Sequence, residues 1–263
     1  MKGIKIIVCA KQVPDPEAPF TAVEVDSEAK KIRTKGIPPV INPFDENAIE
    51  AALCIKEEDG AEVTVLSVGA KISHAVLRKA LAVGADNLIL LDDPRFKDLD
   101  SYSTAYVLSN AIKKIGEYDL ILAGRQAGDW DSGQTGLILG EMLEIVSINL
   151  ARSIKIEDGT VVVEKMIQGG YELVRAKLPS LVTVSSEIGE LRYPTVKRRL
   201  QALKQPIEIW SAEDVEINAE RLKIIEIMEL LPALGMGRQC HFMEGDAPEE
   251  KGENLAITLK GMA

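Results

Sequence analysis

The segment best suited to chemistry is glycine-rich and runs from Ala123 to Gly136. It follows an apolar, strand-like run and precedes a helix-like one, and its four glycines permit positive φ and close backbone approach. Free N–H groups at the start of the next helix, with the hydroxyls of Ser132 and Thr135, would form an anion site. The segment therefore indicates a loop that holds a phosphate or nucleotide. The alternative is a plain connection in which Ser132 merely caps the helix.

Other chemistries find little support. The loop matches neither GxxxxGK[ST] nor GxGxxG, which argues against a P-loop NTPase and a dinucleotide fingerprint. Three cysteines without a CxxC pair and two isolated histidines argue against a disulfide scaffold and a metal site. Cys9 has no histidine within sequence reach to activate it, so a packed thiol is expected. We predict no catalytic side chain and no metal ligands.

A local reversal of charge marks a second candidate site. The chain carries 31 basic and 41 acidic residues, a net charge of −10. Between Leu191 and Ile207 there are five basic residues and no acid: Arg192, Lys197, Arg198, Arg199 and Lys204. This pattern is typical either of a solvated helix face or of a docking patch for an acidic partner.

Whole-chain composition narrows the classes of partner. The acidic balance and an aromatic content of 4% argue against nucleic acid. Apolar residues make up 46% of the 263 residues, and the mean hydropathy is +0.03, so a globular protein is expected. No run reaches the ~18 apolar residues of a membrane span. The chain is predicted to be soluble and cytoplasmic.

The glycine loop belongs to an alternation of strands and helices. Strands are predicted at 4–10, 63–68, 87–91 and 118–123. Four helices are predicted: one that begins after Asn42, and three at 73–83, 101–115 and 134–145. This order predicts an α/β fold whose parallel sheet carries helices on both faces. Asn42 is expected to cap its helix, with Pro43 in the first turn.

The spacing of apolar residues changes after about residue 150, where strand-like segments follow one another without helices between them. Strand-like segments at 153–156, 161–165, 171–176 and 181–184 are predicted to extend the sheet as antiparallel strands. A small hairpin is predicted at 23–26 and 31–34, a short helix at 196–203, and a last helical stretch from Glu220 that precedes a polar tail at 244–253.

Several separated motifs resemble the β subunit of electron-transfer flavoproteins. They are Val-Cys-Ala-Lys-Gln-Val-Pro-Asp at 8–15, Asn-Pro-Phe-Asp at 42–45, Ala-Leu-Ala-Val-Gly-Ala-Asp at 80–86, Gly-Arg-Gln-Ala at 124–127 with Gln-Thr-Gly at 134–136, and Arg192-Tyr193. The likeness spans residues 4–210 in order, and the tail after 210 is poorly covered. The resemblance therefore implies an adenine-nucleotide-binding core at 1–210 and a C-terminal extension at 211–263 that contacts a partner.

The resemblance implies a heterodimer that carries electrons. In this family the electron-carrying FAD lies mainly on the α subunit, and the β subunit holds either AMP or, in members that bifurcate electrons from NADH, a second FAD. Gln-Thr-Gly at 134–136 is similar to the AMP type, whereas residues 42–45 and 100–104 are more similar to the FAD type. The balance favours a second FAD. A flavin supplies the redox chemistry, so no acid–base pair is required.

The resemblance also assigns residues. Cofactor contacts would fall on Cys9, Asn42, Pro43, Phe44, Asp45, Val68, Gly124, Arg125, Gln126, Ala127, Gly128, Asp129, Trp130, Asp131, Ser132, Gly133, Gln134 and Thr135, with Asp100, Ser101 and Thr104 as additional flavin contacts. Redox partners of the acyl-CoA dehydrogenase or quinone-reductase type would dock on Arg192, Tyr193, Val196, Lys197, Arg198 and Arg199, with Val196 as the apolar anchor. The rival hypotheses are a single-chain adenine-nucleotide sensor of the universal-stress type and a scaffold whose loop binds nothing.

Overall fold

A computed structural model describes residues 3–231 and 240–262 of the chain. The helices are α1 (Pro43–Asp59), α2 (His74–Val83), α3 (Ser101–Ile115), α4 (Thr135–Met142), α5 (Val196–Lys204) and α6 (Pro248–Met262). The strands are β1 (Lys5–Cys9), β2 (Gln12–Pro14), β3 (Val23–Asp26), β4 (Lys31–Thr34), β5 (Pro39–Ile41), β6 (Glu62–Gly69), β7 (Asn87–Asp92), β8 (Leu120–Gly124), β9 (Val146–Glu157), β10 (Thr160–Ile167), β11 (Gly170–Lys177), β12 (Ser180–Val184) and β13 (Glu208–Trp210).

The central sheet has nine strands in the order β11-β10-β9-β12-β8-β1-β6-β7-β13. Strands from β9 to β13 in this order run parallel, and β10 and β11 add antiparallel strands at one end. Alternate strand residues face opposite sides: Ile6 and Val8 pack with α1 and α2, whereas Ile7 and Cys9 pack with α3 and α4. The predicted α/β class, with helices on both faces, is confirmed.

The antiparallel prediction is wrong for one strand. Segment 181–184 forms β12, which lies between β8 and β9 and runs parallel to both. All five of its residues are buried, from Ser180 to Val184. A continuous buried run is typical of an interior parallel strand, whereas an outer antiparallel strand alternates. The chain therefore forms the β9-β10-β11 meander first and then returns to the middle of the sheet.

The predicted hairpin exists as the antiparallel pair of β3 and β4. The C-terminal prediction needs correction. Past Glu220 the structure has a short 3-10 turn at Ala219–Arg221 and no helix over residues 222–231, and the rest of that predicted stretch, 232–239, lies outside the described residues. A helix forms instead as α6, which begins within the predicted polar tail and continues past its end to Met262. Pro248 and two acids occupy its first turn and Lys260 its last, which suits the helix dipole.

In the described ranges, no helix has both the length and the apolar content needed to cross a membrane.

Candidate nucleotide site

The glycine loop lies where the sheet changes direction of winding. Strands β6 and β7 lie to one side of β1, whereas β8 and β12 lie to the other. In open α/β sheets, ligands bind in the crevice outside the carboxyl ends of the strands at such a switch point. Cys9 and Ala123 pair across β1 and β8 at this edge, and the loop leaves β8 directly after Gly124. The fold thus places the predicted loop at its binding edge.

Asn42 holds the loop from the opposite side of the crevice. Asn42 occupies the N-cap position of α1, as predicted, but its side chain makes no capping bond to that helix. Its Nδ2 instead donates to the Gln126 carbonyl at 2.8 Å, and its Oδ1 accepts from the Gly128 N–H at 3.1 Å. Asn42 is buried, so these bonds satisfy an amide that would otherwise be costly to bury. The start of α1 therefore sets the course of the loop.

Asp45 joins the ends of two strands. Its Oδ1 accepts from the Gly124 N–H at 3.0 Å and its Oδ2 from the Lys11 N–H at 2.7 Å. Burial raises the pKa of this carboxyl to about 7, although the hydrogen bonds from Lys11, Asn42 and Gly124 oppose the rise. Asp45, which the resemblance assigns as a cofactor contact, therefore also links the backbone after β1 to the end of β8.

This raised pKa makes stability depend on pH. The folded chain binds the Asp45 proton more tightly than the unfolded chain does, so the stabilisation from this proton is fully present below about pH 4 and is lost as pH rises through about 7. We expect the melting temperature of wild type, relative to Asp45→Asn, to fall between pH 5 and 7 and to level off above. Thermal unfolding of both variants at each pH measures this. A difference that stays constant with pH would contradict it.

Cys9 is buried beside this carboxyl. Burial, followed by the charge of Asp45, raises the pKa of its thiol to about 12. The thiol therefore stays protonated and is a poor nucleophile at neutral pH. This agrees with the predicted packed thiol. Cys9 is thus a small side chain at the sheet edge that borders the crevice.

Arg125 carries an unsatisfied donor into the site. Its backbone N–H donates to Val184 O at 2.9 Å, and its guanidinium carbon lies 4.7 Å from the centre of the Phe44 ring. Its Nε is buried and has no hydrogen-bond partner. A buried donor without a partner is costly, so this atom is suited to an acceptor oxygen of a ligand.

The charges of the loop are internally balanced. Lys11 Nζ pairs with Asp129 at 2.6 Å, and Gln126 Nε2 donates to Asp131 Oδ1 at 2.8 Å. With Arg125 there are two cations, which the carboxylates of Asp129 and Asp131 match in number before the buried Asp45 is counted, so anion affinity must come from oriented N–H groups more than from excess charge. Gln134 makes no side-chain cap bond to α4, which leaves the positive end of that helix open at the loop. Together with the unpartnered Arg125 Nε, this fits a phosphate-bearing ligand.

The structure places the three additional flavin contacts predicted from the sequence at the start of α3. Ser101 reaches the glycine loop there, because its Oγ lies 3.0 Å from Ser132 Oγ. Asp100 instead caps α3 through Ser103 N–H at 2.7 Å and accepts from Ile225 N–H at 2.9 Å. Thr104 follows on α3, and Val68 lies near the end of β6, two strands from the loop. Their cofactor roles remain predictions, as does that of the half-exposed Trp130.

Sequence reasoning missed two loop supports. The Lys11 side chain ties the end of β1 to Asp129 at 2.6 Å, and the position of this lysine directly after the first strand is the signal that could have found the contact. Gly136 packs so closely on Thr183 of β12 that a Cβ there would lie 2.7 Å from its Cγ2. No local pattern could show the second contact, because it depends on where β12 inserts.

The second candidate site lies on and before α5. Tyr193 is 94% exposed and Val196 is 74% exposed, and Leu200 and Leu203 continue an exposed apolar row at helical spacing. Arg192 is tied to α1 by ion pairs with Glu50, at 2.8 Å, and with Glu57. Lys197 and Arg199 are exposed at the sides of the apolar row. The docking assignment itself remains a prediction.

The fold is an α/β sheet with a candidate anion-binding loop at its switch point, and comparisons with known proteins show the family to which the chain belongs. The family model of the electron transfer flavoprotein domain matches residues 30–215. Subunit CarD of the caffeyl-CoA reductase–Etf complex of Acetobacterium woodii is 39% identical over 218 residues, 82% of each chain. Electron transfer flavoprotein subunit beta of Thermoanaerobacterium thermosaccharolyticum is 39% identical over 220 residues, 83% of each chain. Acryloyl-CoA reductase electron transfer subunit gamma of Anaerotignum propionicum is 32% identical over 261 residues, 98% of this chain and 93% of its own.

This chain belongs to the electron transfer flavoprotein family, as a subunit of the β type. Its function is electron transfer, and the universal-stress alternative finds no support among these relatives.

Proposed function

We propose that this subunit holds an adenine nucleotide, and specifically a second FAD, on the loop at 124–135, while a partner α subunit carries the electron-transferring FAD. The observation that carries the proposal is the loop at the switch point of the sheet. Asn42 and Asp45 fix its backbone there, beside the open end of α4 and the unpartnered Nε of Arg125. The AMP-binding alternative uses the same loop.

The residues of this chain would bind and orient the cofactor. The loop N–H groups and Thr135 would receive the phosphates, and Cys9 and Val68 would border the adenine. Arg125 would meet an acceptor oxygen with its buried Nε. A bound flavin supplies the redox chemistry, accepting a hydride or passing single electrons.

The N-terminus of α3 supports FAD over AMP. Ser101 touches the loop at Ser132, so Asp100, Ser101 and Thr104 lie along an edge that a ligand longer than AMP would reach. Trp130 offers an exposed ring in the same loop for stacking. NADH-dependent electron bifurcation by the heterodimer is part of this proposal.

We further propose a redox partner and a place for it. The relatives named above include subunits of a caffeyl-CoA reductase complex and of an acryloyl-CoA reductase. An acyl-CoA dehydrogenase-like enzyme is therefore the favoured partner over a quinone reductase, and the exposed row on α5 is its docking surface. The proposed site of action is the cytoplasm.

The C-terminal extension at 211–263 is proposed to contact the α subunit. Ile224, Ile225 and Met228 are all exposed in it. Ala212 and Val215 pack into the core, which anchors the start of the extension on the α/β body. Exposed apolar residues along such a segment are typical of a partner-covered surface.

Cofactor analysis of the heterodimer tests the proposal. The chain is co-expressed with its α subunit, the complex is denatured, and released cofactors are separated by chromatography. We expect two FAD per heterodimer. One FAD and one AMP would instead assign AMP to this subunit, and one FAD with no second nucleotide would contradict a nucleotide role for the loop.

A further inference from the structure

The proposed docking helix α5 is held to the body almost entirely by polar contacts. Within α5, every residue of which the structure describes, Ala202 alone is buried. Its other apolar residues, Val196, Leu200 and Leu203, face solvent. A helix with one buried alanine gains little from packing, since apolar burial scales with area. Its position must therefore be set by other contacts.

Those contacts come mainly from α2. One nitrogen of Arg78, Nη1, donates to the Ala202 carbonyl at 2.6 Å and to the Gln205 carbonyl at 2.8 Å. Ala202 lies in the last turn of α5 and Gln205 directly follows the helix, where the dipole is negative. The Ala202 carbonyl also accepts from the Gln205 N–H at 3.3 Å, so Arg78 adds a second donor to it. A guanidinium at this end satisfies both acceptors and the dipole together.

Two further side-chain bonds join α5 and the residue after it to the end of α2 and the loop that follows it. Arg198 Nη1 donates to the Val83 carbonyl at the end of α2 at 3.1 Å, and Gln205 Nε2 donates to the Asp86 carbonyl at 2.5 Å. Arg78 differs from these because it extends from the body, where the neighbouring Leu77 and Ala80 are fully buried. Its backbone is thus fixed by the core while its side chain holds α5.

We infer that Arg78 is a positioning residue for redox-partner docking, because it fixes the docking helix α5 by binding two carbonyls at the C-terminal end of that helix. The inference rests on the proposed docking role of α5. In this inference Arg78 acts through α5, whose carbonyl ends it binds. Arg78 orders the helix whose exposed residues contact the partner, so that partner binding does not include the entropic cost of ordering α5.

The test compares Arg78→Gln with Lys79→Gln in the intact heterodimer. Lys79 is the next residue on α2, and its side chain pairs with Glu46 at 2.6 Å, so the control removes the same charge from the same helix. Hydrogen exchange of the amides in α5 should speed up about tenfold in Arg78→Gln, should stay near wild type in Lys79→Gln, and should be partly restored in Arg78→Lys.

Kinetics supply the second readout. With an acyl-CoA dehydrogenase as redox partner, the KM for the Arg78→Gln heterodimer should rise about tenfold, while kcat and cofactor content stay near wild type. Wild-type exchange or a wild-type KM in Arg78→Gln would overturn the inference. Val196→Asp separates this from the proposed function: if that variant also docks normally, the docking surface is wrong, whereas exchange still reports on the Arg78 contacts.

Discussion

Replacing Gly124 by alanine is expected to lower the melting temperature of the heterodimer and to empty the nucleotide site. A Cβ at this position would lie 2.5 Å from Asp45 Oδ1 and 2.7 Å from the Phe44 carbonyl carbon. The second neighbour is backbone at the start of α1, so relief requires moving that helix. Overpacking of this kind costs about 1–3 kcal/mol, and loss of the Asp45 bond to the Gly124 N–H adds to it.

Gly128→Ala is the matched control for this prediction. A Cβ there would meet Pro16 at 3.6 Å, which is ordinary van der Waals contact. For chains of this size about 2–4 °C correspond to each kcal/mol, so Gly124→Ala should melt roughly 5–10 °C lower, and Gly128→Ala within about 2 °C of wild type. Differential scanning calorimetry gives both values. Equal melting temperatures for the two variants would show that the crevice is not as closely packed as described.

Val196→Asp is expected to abolish productive docking of the redox partner at every salt concentration. Val196 is exposed at the head of an apolar row, and a carboxylate there would have to be desolvated when the partner covers the row. Replacing a hot-spot residue at the centre of an interface lowers the binding free energy by about 2 kcal/mol or more, which corresponds to a Kd at least about 30-fold weaker. Val23→Asp makes the same change on the β3–β4 hairpin and should leave docking unchanged.

The flanking charges should behave differently. Lys197 and Arg199 are exposed, whereas Arg198 is tied to Val83 and is left intact. Converting both exposed cations to glutamine should slow association several-fold at low salt, and the loss should shrink as salt rises, because such charges are screened over about 8 Å at physiological ionic strength. Stopped-flow electron transfer against ionic strength measures both effects. Wild-type rates in all these variants would show that the patch is a solvated face.

The sequence predicts the elements of the site better than their connections. Alternating strands and helices placed the glycine loop after β8, and the structure puts it at the switch point. The pairing of Asn42 with the loop was beyond local reasoning, since it joins residues 84 positions apart. A buried amide that reaches across a crevice looks, in sequence, the same as an N-cap.

The docking helix shows a similar limit. The sequence marks Val196 and the basic residues, but Leu200 and Leu203 read equally well as buried side chains of an amphipathic helix. Which face is covered depends on where α5 meets α2, and there only Ala202 is buried. Likewise, the parallel direction of β12 follows from its return to the centre of the sheet and not from its own composition.

The central claim is that the loop of this chain holds a nucleotide, and the cofactor content of loop variants in the heterodimer tests it most directly. Thr135 opens α4, and Asp131 adopts a φ of +51° while its carboxylate accepts from Gln126. Thr135→Val and Asp131→Ala should each lower the nucleotide of this subunit by half or more, while the FAD of the α subunit stays at one per heterodimer. Thr160→Val, at the start of the distant β10, should retain both. Full occupancy of both cofactors in the two loop variants would contradict the account.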